Sequence, residues 1–256
     1  MRRAEAPTPI RYVQWLCDAG MFAREALGFN ADEQQARLLR DSPRRCALNC
    51  TRQWGKSTVT AAKAIHKASF YANSLTLALS PSARQSAEFL RKASGFLRAL
   101  GIKPRGDGDN EMSLLLPNGS RVVGLPGSES TIRGFSSVSL LIIDEAARTP
   151  DDLYRAVRPM LAVGDGELWL LSTPNGKRGF FYETWGNGDR DWTRISAPAT
   201  ECPRIGGKFL ESERAALGER WFRQEYLCEF VDADDTVFAT EFVEGALTDE
   251  VTPLRL

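Results

Sequence analysis

The sequence holds a single histidine in 256 residues, and its five cysteines include no CxxC pair. Cys17, Cys46, Cys50, Cys202 and Cys228 are an odd number for a disulfide framework. With His66 alone beside them they supply no zinc-ligand cluster. A structural zinc site and a disulfide-stapled fold are therefore excluded, and a reducing cytosol is the expected compartment. No apolar run approaches the length of a bilayer-spanning helix. The start, Met1-Arg2-Arg3-Ala4-Glu5, has no apolar stretch behind it and does not read as a signal peptide. Internal repeats and low-complexity tracts are also absent, which excludes solenoids and disordered arrays.

What is present is ordinary globular composition, 43% hydrophobic and 26% charged, enough for one large domain or one domain with a small appendage. Net charge is zero, with 33 basic and 33 acidic residues, but it is unevenly spread. Residues 229–256 carry eight acids and one base, so residues 1–228 have 32 bases against 25 acids, a net of +7. Arginine makes up 26 of the 33 bases. Its planar fork suits phosphate, although solvated surface charge explains such a composition equally well.

Short β-rich runs alternate with amphipathic helical stretches, the pattern of an α/β fold with a largely parallel sheet. Ile10–Leu27 reads as one or two helices and Asn30–Arg40 as another, with Asp32 near its start. Arg45–Asn49 is a strand, Lys56–Tyr71 a helix, Leu75–Ser80 a strand and Ser82–Leu100 a long helix. Met112–Leu116 and Arg121–Leu125 flank the turn Pro117-Asn118-Gly119. Val138–Ile143 is apolar enough for a central strand. Pro150–Val163 reads as one helix, Glu167–Ser172 and Trp192–Ala197 as strands. Gly207–Leu217 and Glu219–Leu227 read as two helices of a small C-terminal subdomain, followed by an acidic linker at Asp232-Ala233-Asp234-Asp235.

Cys50-Thr51-Arg52-Gln53-Trp54-Gly55-Lys56-Ser57-Thr58 lies between a predicted strand and a predicted helix. In that context GxxxxGK[ST] is a phosphate loop: amide N–H groups and the helix N-terminus cradle the phosphates. Lys56 would reach the β- and γ-phosphates, Ser57 would place its hydroxyl on Mg²⁺, and Gly55 would let the backbone approach closely. Cys50 stands where the pattern has glycine, which is tolerable only at negative φ. Leu140-Leu141-Ile142-Ile143-Asp144-Glu145-Ala146 is the companion: a buried strand with two acids at its C-terminal end, where open α/β sheets bind ligands. Asp144 is placed to hold Mg²⁺ through water, and Glu145 to orient and deprotonate an attacking water. Standing alone, the two acids would also read as a helix N-cap. Ser172 and Thr173, at the end of the next strand, suit a γ-phosphate sensor or an ordinary exit into the turn Pro174-Asn175-Gly176. His66 reads as a packed or exposed helical residue. Asp232, Asp234 and Asp235 read as a solvated linker rather than a metal site.

These residues, in this order, resemble the ATPase half of the large terminase subunit of tailed phages and prophages, motors that pump double-stranded DNA into capsids. The marks are Arg52 inside the phosphate loop, Leu141–Ala146, Ser172-Thr173-Pro174 with Gly179-Phe180-Phe181-Tyr182 after it, and Trp221–Phe230. The resemblance implies a RecA-like (ASCE) P-loop NTPase with a mostly parallel sheet flanked by helices and a small helical C-terminal lid. It places the core at 1–205 and the lid with the acidic linker at 206–256. It implies ATP and Mg²⁺ as cofactors and an upstream glutamine that reads adenine, here Gln35 rather than Gln34. Contacts to the nucleotide are expected from Gln35, Thr51, Arg52, Gln53, Trp54, Gly55, Lys56, Ser57, Thr58, Ser172 and Thr173.

The resemblance further implies a ring homo-oligomer (a pentamer) acting on double-stranded DNA without regard to sequence. A portal protein, a small terminase subunit and a ribonuclease-H-type nuclease domain would be its partners. The chain ends about where that nuclease domain would begin, so no nuclease activity is expected; lacking a bilayer-length apolar run, it is expected to meet no membrane, and the expected location is the host cytoplasm at the portal vertex of the procapsid. Arg133, followed by Gly134, is the expected arginine finger acting across subunits, with Arg52 as a competitor in cis and Arg148 as a weaker one. A superfamily 2 helicase core and a nucleotide-gated assembly protein are the alternatives.

Overall fold

The computed structural model describes residues 7–110, 112–127, 134–187, 190–232 and 245–246. Arg133, Asp234 and Asp235 lie outside the described residues. At the N-terminus α1 (Pro9–Cys17), α2 (Ala19–Glu25) and α3 (Glu33–Asp41) precede the sheet. Asp32 caps α3 in a capping box with Gln35: Gln35 N donates to Asp32 Oδ1 at 2.9 Å and Asp32 N to Gln35 Oε1 at 3.1 Å.

The sheet follows in alternation: β1 (Arg45–Cys50), α4 (Lys56–Phe70), β2 (Leu75–Ser80), α5 (Ala83–Ala99), β3 (Ser113–Leu115), β4 (Arg121–Pro126), β5 (Leu140–Asp144), α6 (Asp151–Val157), β6 (Glu167–Ser172), α7 (Gly179–Gly186) and β7 (Thr193–Ala197). Two helices, α8 (Gly207–Leu217) and α9 (Glu219–Tyr226), complete the described elements, apart from three short 3₁₀ turns. Strand order is β3-β4-β2-β5-β6-β1-β7, and every pairing is parallel except β3 with β4. β6 therefore separates the strand that leads into the phosphate loop from the strand that ends in Asp144. This is the RecA-like order.

Side chains alternate across the sheet with a period of two. Cys46, Leu48, Cys50, Leu140, Ile142, Trp169 and Leu171 pack on one face beneath α1–α5. Ala47, Leu141, Ile143, Leu168 and Leu170 pack on the other, against α6 and α7. Both faces are covered, so the central strands read as continuous apolar runs rather than as alternating ones.

Two expectations change. Pro150–Val163 does not form one helix: α6 stops at Val157 and the chain tightens into a 3₁₀ turn over Arg158–Leu161. Pro159 has no N–H to donate and its ring crowds the carbonyl one turn back, so an α-helix cannot run through it. A helix also forms at α7, where the sequence reading had none. Its first turn buries Phe180 and Phe181 in the second core.

Candidate nucleotide site

β1 delivers Cys50 to the loop and α4 leaves it. Cys50 itself is fully buried at the end of the strand and is not among the positive-φ residues, so its Cβ is accommodated. The left-handed turn is made instead by Gln53, at φ 66, and Gly55, at φ 95. A Cβ on Gly55 would lie 3.1 Å from Gln35 Nε2 as well as being strained. The α4 N-terminus has no side-chain cap. No side chain therefore competes for the partial positive charge at this helix end, as an anion site requires.

A cavity of about 570 Å³ opens here. The loop lines one wall with Arg52, Gln53, Gly55, Lys56, Ser57 and Thr58. Asp144, Glu145 and Arg148 line the floor, and one face of α5 (Gln85, Glu88, Lys92) lines the opposite wall. Sequence reasoning did not find that third wall, although the spacing 85, 88, 92 is one helical stripe. Lys56 is folded back onto its own loop: its Nζ donates to Cys50 O at 2.7 Å and to Thr51 O at 3.1 Å. A phosphate entering the cavity would offer stronger, charged acceptors to the same ammonium.

Asp144 accepts the Glu145 amide at 3.1 Å. Burial, and then the neighbouring Glu145 charge, raise its pKa to about 6, with Lys56 opposing. A carboxylate so destabilised in its charged form, lining the same cavity as Ser57, fits a hard divalent cation. Glu145 itself sits at φ 53, left-handed and unusual for a non-glycine residue. It opens the 3₁₀ turn Ala146–Arg148.

Several expected contact residues are not among those lining the cavity and are engaged with protein partners. Gln35 is buried, and its Nε2 donates to Trp54 O at 2.6 Å while its Oε1 completes the capping box. Each amide atom keeps one hydrogen-bonding position in reserve. Trp54 is buried too, with its indole Nε1 donating to Gln34 Oε1 at 3.0 Å. Thr51 is fully buried, and its hydroxyl donates to Glu225 O at 2.9 Å. Ser172 accepts the Ala147 amide at 3.1 Å and Thr173 accepts from Arg148 at 3.0 Å. These groups have first claims on protein partners. Through them they hold the shape of the loops that face the cavity.

The C-terminal helices reach the same place. Glu225 of α9 accepts from Arg52 at 2.8 Å through Oε2 and from Arg148 at 3.1 Å through Oε1. Asn49 donates to Cys228 O at 2.7 Å. Gln224 accepts the Gly176 amide at 3.4 Å. The sequence signals for this region were the expected lid over 206–256 and the family mark Trp221–Phe230, with no residue of either assigned to the site.

Fold and site together define a RecA-like P-loop NTPase domain. Comparison with known proteins narrows the class. The family model of the T4likevirus-type terminase large subunit, N-terminal region, matches residues 48–243, and the chain belongs to that family. The large terminase subunit of Thermus virus P23-45 is 27% identical over 252 residues, covering 84% of this chain and 52% of that protein. The chain thus spans about half the length of the curated relatives it matches. Among solved structures, the large terminase ATPase domain of Thermus phage P74-26 superposes with a TM-score of 0.73 at 22% identity, covering 82% of this chain and 97% of that one. The large terminase of a thermophilic bacteriophage, in complex with ATP-gamma-S, gives 0.62 at 11% identity, covering 84% and 52%. Family membership sets the terminase reading above the helicase and assembly-protein alternatives. Among the described residues no helix is long and apolar enough to cross a membrane.

Proposed function

We propose that this domain hydrolyses ATP and that hydrolysis drives double-stranded viral DNA into a procapsid. The observation that carries the reading is the meeting of Lys56 and Ser57 with Asp144 and Glu145 around one cavity at the C-terminal edge of the sheet. Phosphate loop and acid pair come from strands that are not adjacent, so their convergence is a product of the fold.

In the proposed reaction the loop amides, Lys56 and Arg52 hold the phosphates and neutralise charge that builds on the transferred group. Ser57 and Asp144 would hold Mg²⁺, which supplies further charge neutralisation at the β- and γ-oxygens. Glu145 accepts a proton from, and orients, the attacking water. Gln35 would use its spare amide positions on adenine. The lid over residues 206–256 would report nucleotide state to a neighbouring subunit. Arg133 would act in trans in a ring, and the resemblance supplies the pentamer, the portal protein, the small terminase subunit, the nuclease domain and the portal vertex in the host cytoplasm.

Steady-state phosphate release from ATP, with Mg²⁺ present and then chelated, tests the chemistry. Turnover that requires the metal supports it, and no turnover with duplex DNA either present or absent overturns it. The motor reading predicts DNA binding that is indifferent to sequence and falls steeply with salt. Affinity that stayed flat from low to physiological salt would refute it. Mixing Arg133→Ala with Glu145→Gln subunits tests the trans finger, since only a trans role lets the mixture recover turnover.

A further inference from the structure

Arg148 makes contacts that neither a surface arginine nor a phosphate ligand would need. Its Nη1 donates to Glu145 Oε2 at 3.0 Å and to Thr173 Oγ1 at 3.0 Å, and its Nη2 donates to Glu225 Oε1 at 3.1 Å. Those acceptors come from the exit of β5, the exit of β6 and the C-terminal helix α9. The 3₁₀ turn makes this possible: it is short enough that its last residue, Arg148, comes back within reach of Glu145, the left-handed residue that opens it. The turn is itself pinned, with Arg148 N donating to Glu145 O at 2.8 Å and Ala147 N to Ser172 Oγ at 3.1 Å.

We propose that Arg148 is a positioning residue that aims the Glu145 carboxylate and ties that aim to the place of α9. The inference rests on the hydrolysis reading of the site. Holding Oε2 leaves Oε1 of Glu145 as the oxygen available to a water, and fixes the plane of the carboxylate. The guanidinium fork does this with one nitrogen while the other grips Glu225, a geometry that a lysine ammonium cannot copy. A shift of α9 that carried Glu225 away would remove one of the three anchors of Arg148, and the aim of Glu145 would loosen with it. Glu225 acts here through Arg148 and not on the substrate.

The test compares Arg148→Ala, Arg148→Lys, Glu225→Gln and the double variant Arg148→Ala/Glu225→Gln. Arg148→Ala is expected to lower kcat at least about tenfold, with KM and the affinity for a fluorescent ATP analogue held within about twofold. Arg148→Lys should recover part of the loss. Glu225→Gln should lower kcat less, and the double variant should be no slower than Arg148→Ala alone, because both act along one line. A fall in affinity instead of kcat, no recovery by lysine, or independent multiplying losses in the double variant would each overturn the proposal. If Arg148→Ala does not fold, Arg148→Lys and Glu225→Gln with their double variant carry the same comparison. If the wild-type chain shows no turnover, the hydrolysis reading falls by itself. A thermal-unfolding cycle over positions 148 and 225 then decides the link: coupled shifts in Tm keep it and additive shifts reject it.

Discussion

Arg52 Nε donates to Glu225 Oε2 at 2.8 Å, joining the phosphate loop to a helix 173 residues further along the chain. Glu225 is nearly buried while the Arg52 side chain is largely exposed, so solvent screens their half of the arrangement. The other oxygen faces the less exposed Arg148. Together these contacts hold α9 against the nucleotide cavity.

Removing the Glu225 carboxylate should therefore cost little stability. Glu225→Ala is expected to lower unfolding free energy by about 1–2 kcal/mol, most of it from the Arg148 contact. Chemical denaturation at low and high salt measures this. A loss that salt leaves unchanged would mean that packing of α9, not its charge, holds it in place.

Lys56 and Glu145 should separate binding from turnover. Lys56→Ala removes a ground-state phosphate contact, so nucleotide affinity should fall by at least about tenfold. Glu145→Gln keeps the shape of the side chain but loses the proton acceptor, so affinity should persist while hydrolysis falls by about a hundredfold or more. Titration of a fluorescent ATP analogue beside steady-state kinetics distinguishes them, and equal loss of affinity in both variants contradicts the assigned roles.

His66 should make stability fall in mild acid. It lies between Phe22 and Phe70, with Nε2 2.8 Å from Trp15 O and Nδ1 without a partner. Burial depresses its pKa from 6.5 to about 4, with Lys63 lowering it further and Glu167 and the bond to Trp15 opposing. The unfolded chain thus takes the proton more readily. The contribution is fully present above pH 6.5 and is lost progressively towards pH 4, up to about 3 kcal/mol. Asp144, whose pKa is raised to about 6, slopes the other way over part of this range, so the difference between variants is the clean measure. His66→Phe should flatten the slope by that amount in pH-dependent unfolding, and an unchanged slope would contradict the assignment.

Glu167 should be intolerant of neutralisation. It lies 2.7 Å from Lys63 and 2.8 Å from Lys67, and all three side chains are largely buried. Lys63 also meets the Ser42 hydroxyl and stacks 5.5 Å from the Trp169 ring centre. Glu167→Gln leaves two ammonium groups facing each other away from water, at a cost of about 3–5 kcal/mol. A thermal melt shows it. Restored stability in Glu167→Gln/Lys63→Met would identify the unpaired charge as the cause.

The order of strands and helices, the phosphate loop and the acid pair were legible in the sequence because each is local. Apolar runs mark strands buried on both faces, and Asp32 marks a helix start through a bond only three residues long. Gly55-Lys56-Ser57 and Asp144-Glu145 carry their chemistry within adjacent positions. Pro159 is local too, and its missing N–H is what ends α6 at Val157, short of the helix expected over Pro150–Val163.

The sheet order, and what stands behind the cavity wall, were decided by tertiary structure. That β6 lies between β1 and β5 depends on pairings between strands far apart in the chain, over a hundred residues in the case of β1, and hydropathy says nothing of neighbours. Gln35, Thr51, Ser172 and Thr173 have the chemistry to touch a nucleotide, yet burial obliges each to satisfy a protein donor or acceptor first. Arg148 read as a weak competitor for the arginine finger, and Glu225 lay without a role of its own inside the segment Trp221–Phe230. They meet only because α9 folds back across the C-terminal edge of the sheet, a contact 77 residues long in sequence that no local pattern encodes.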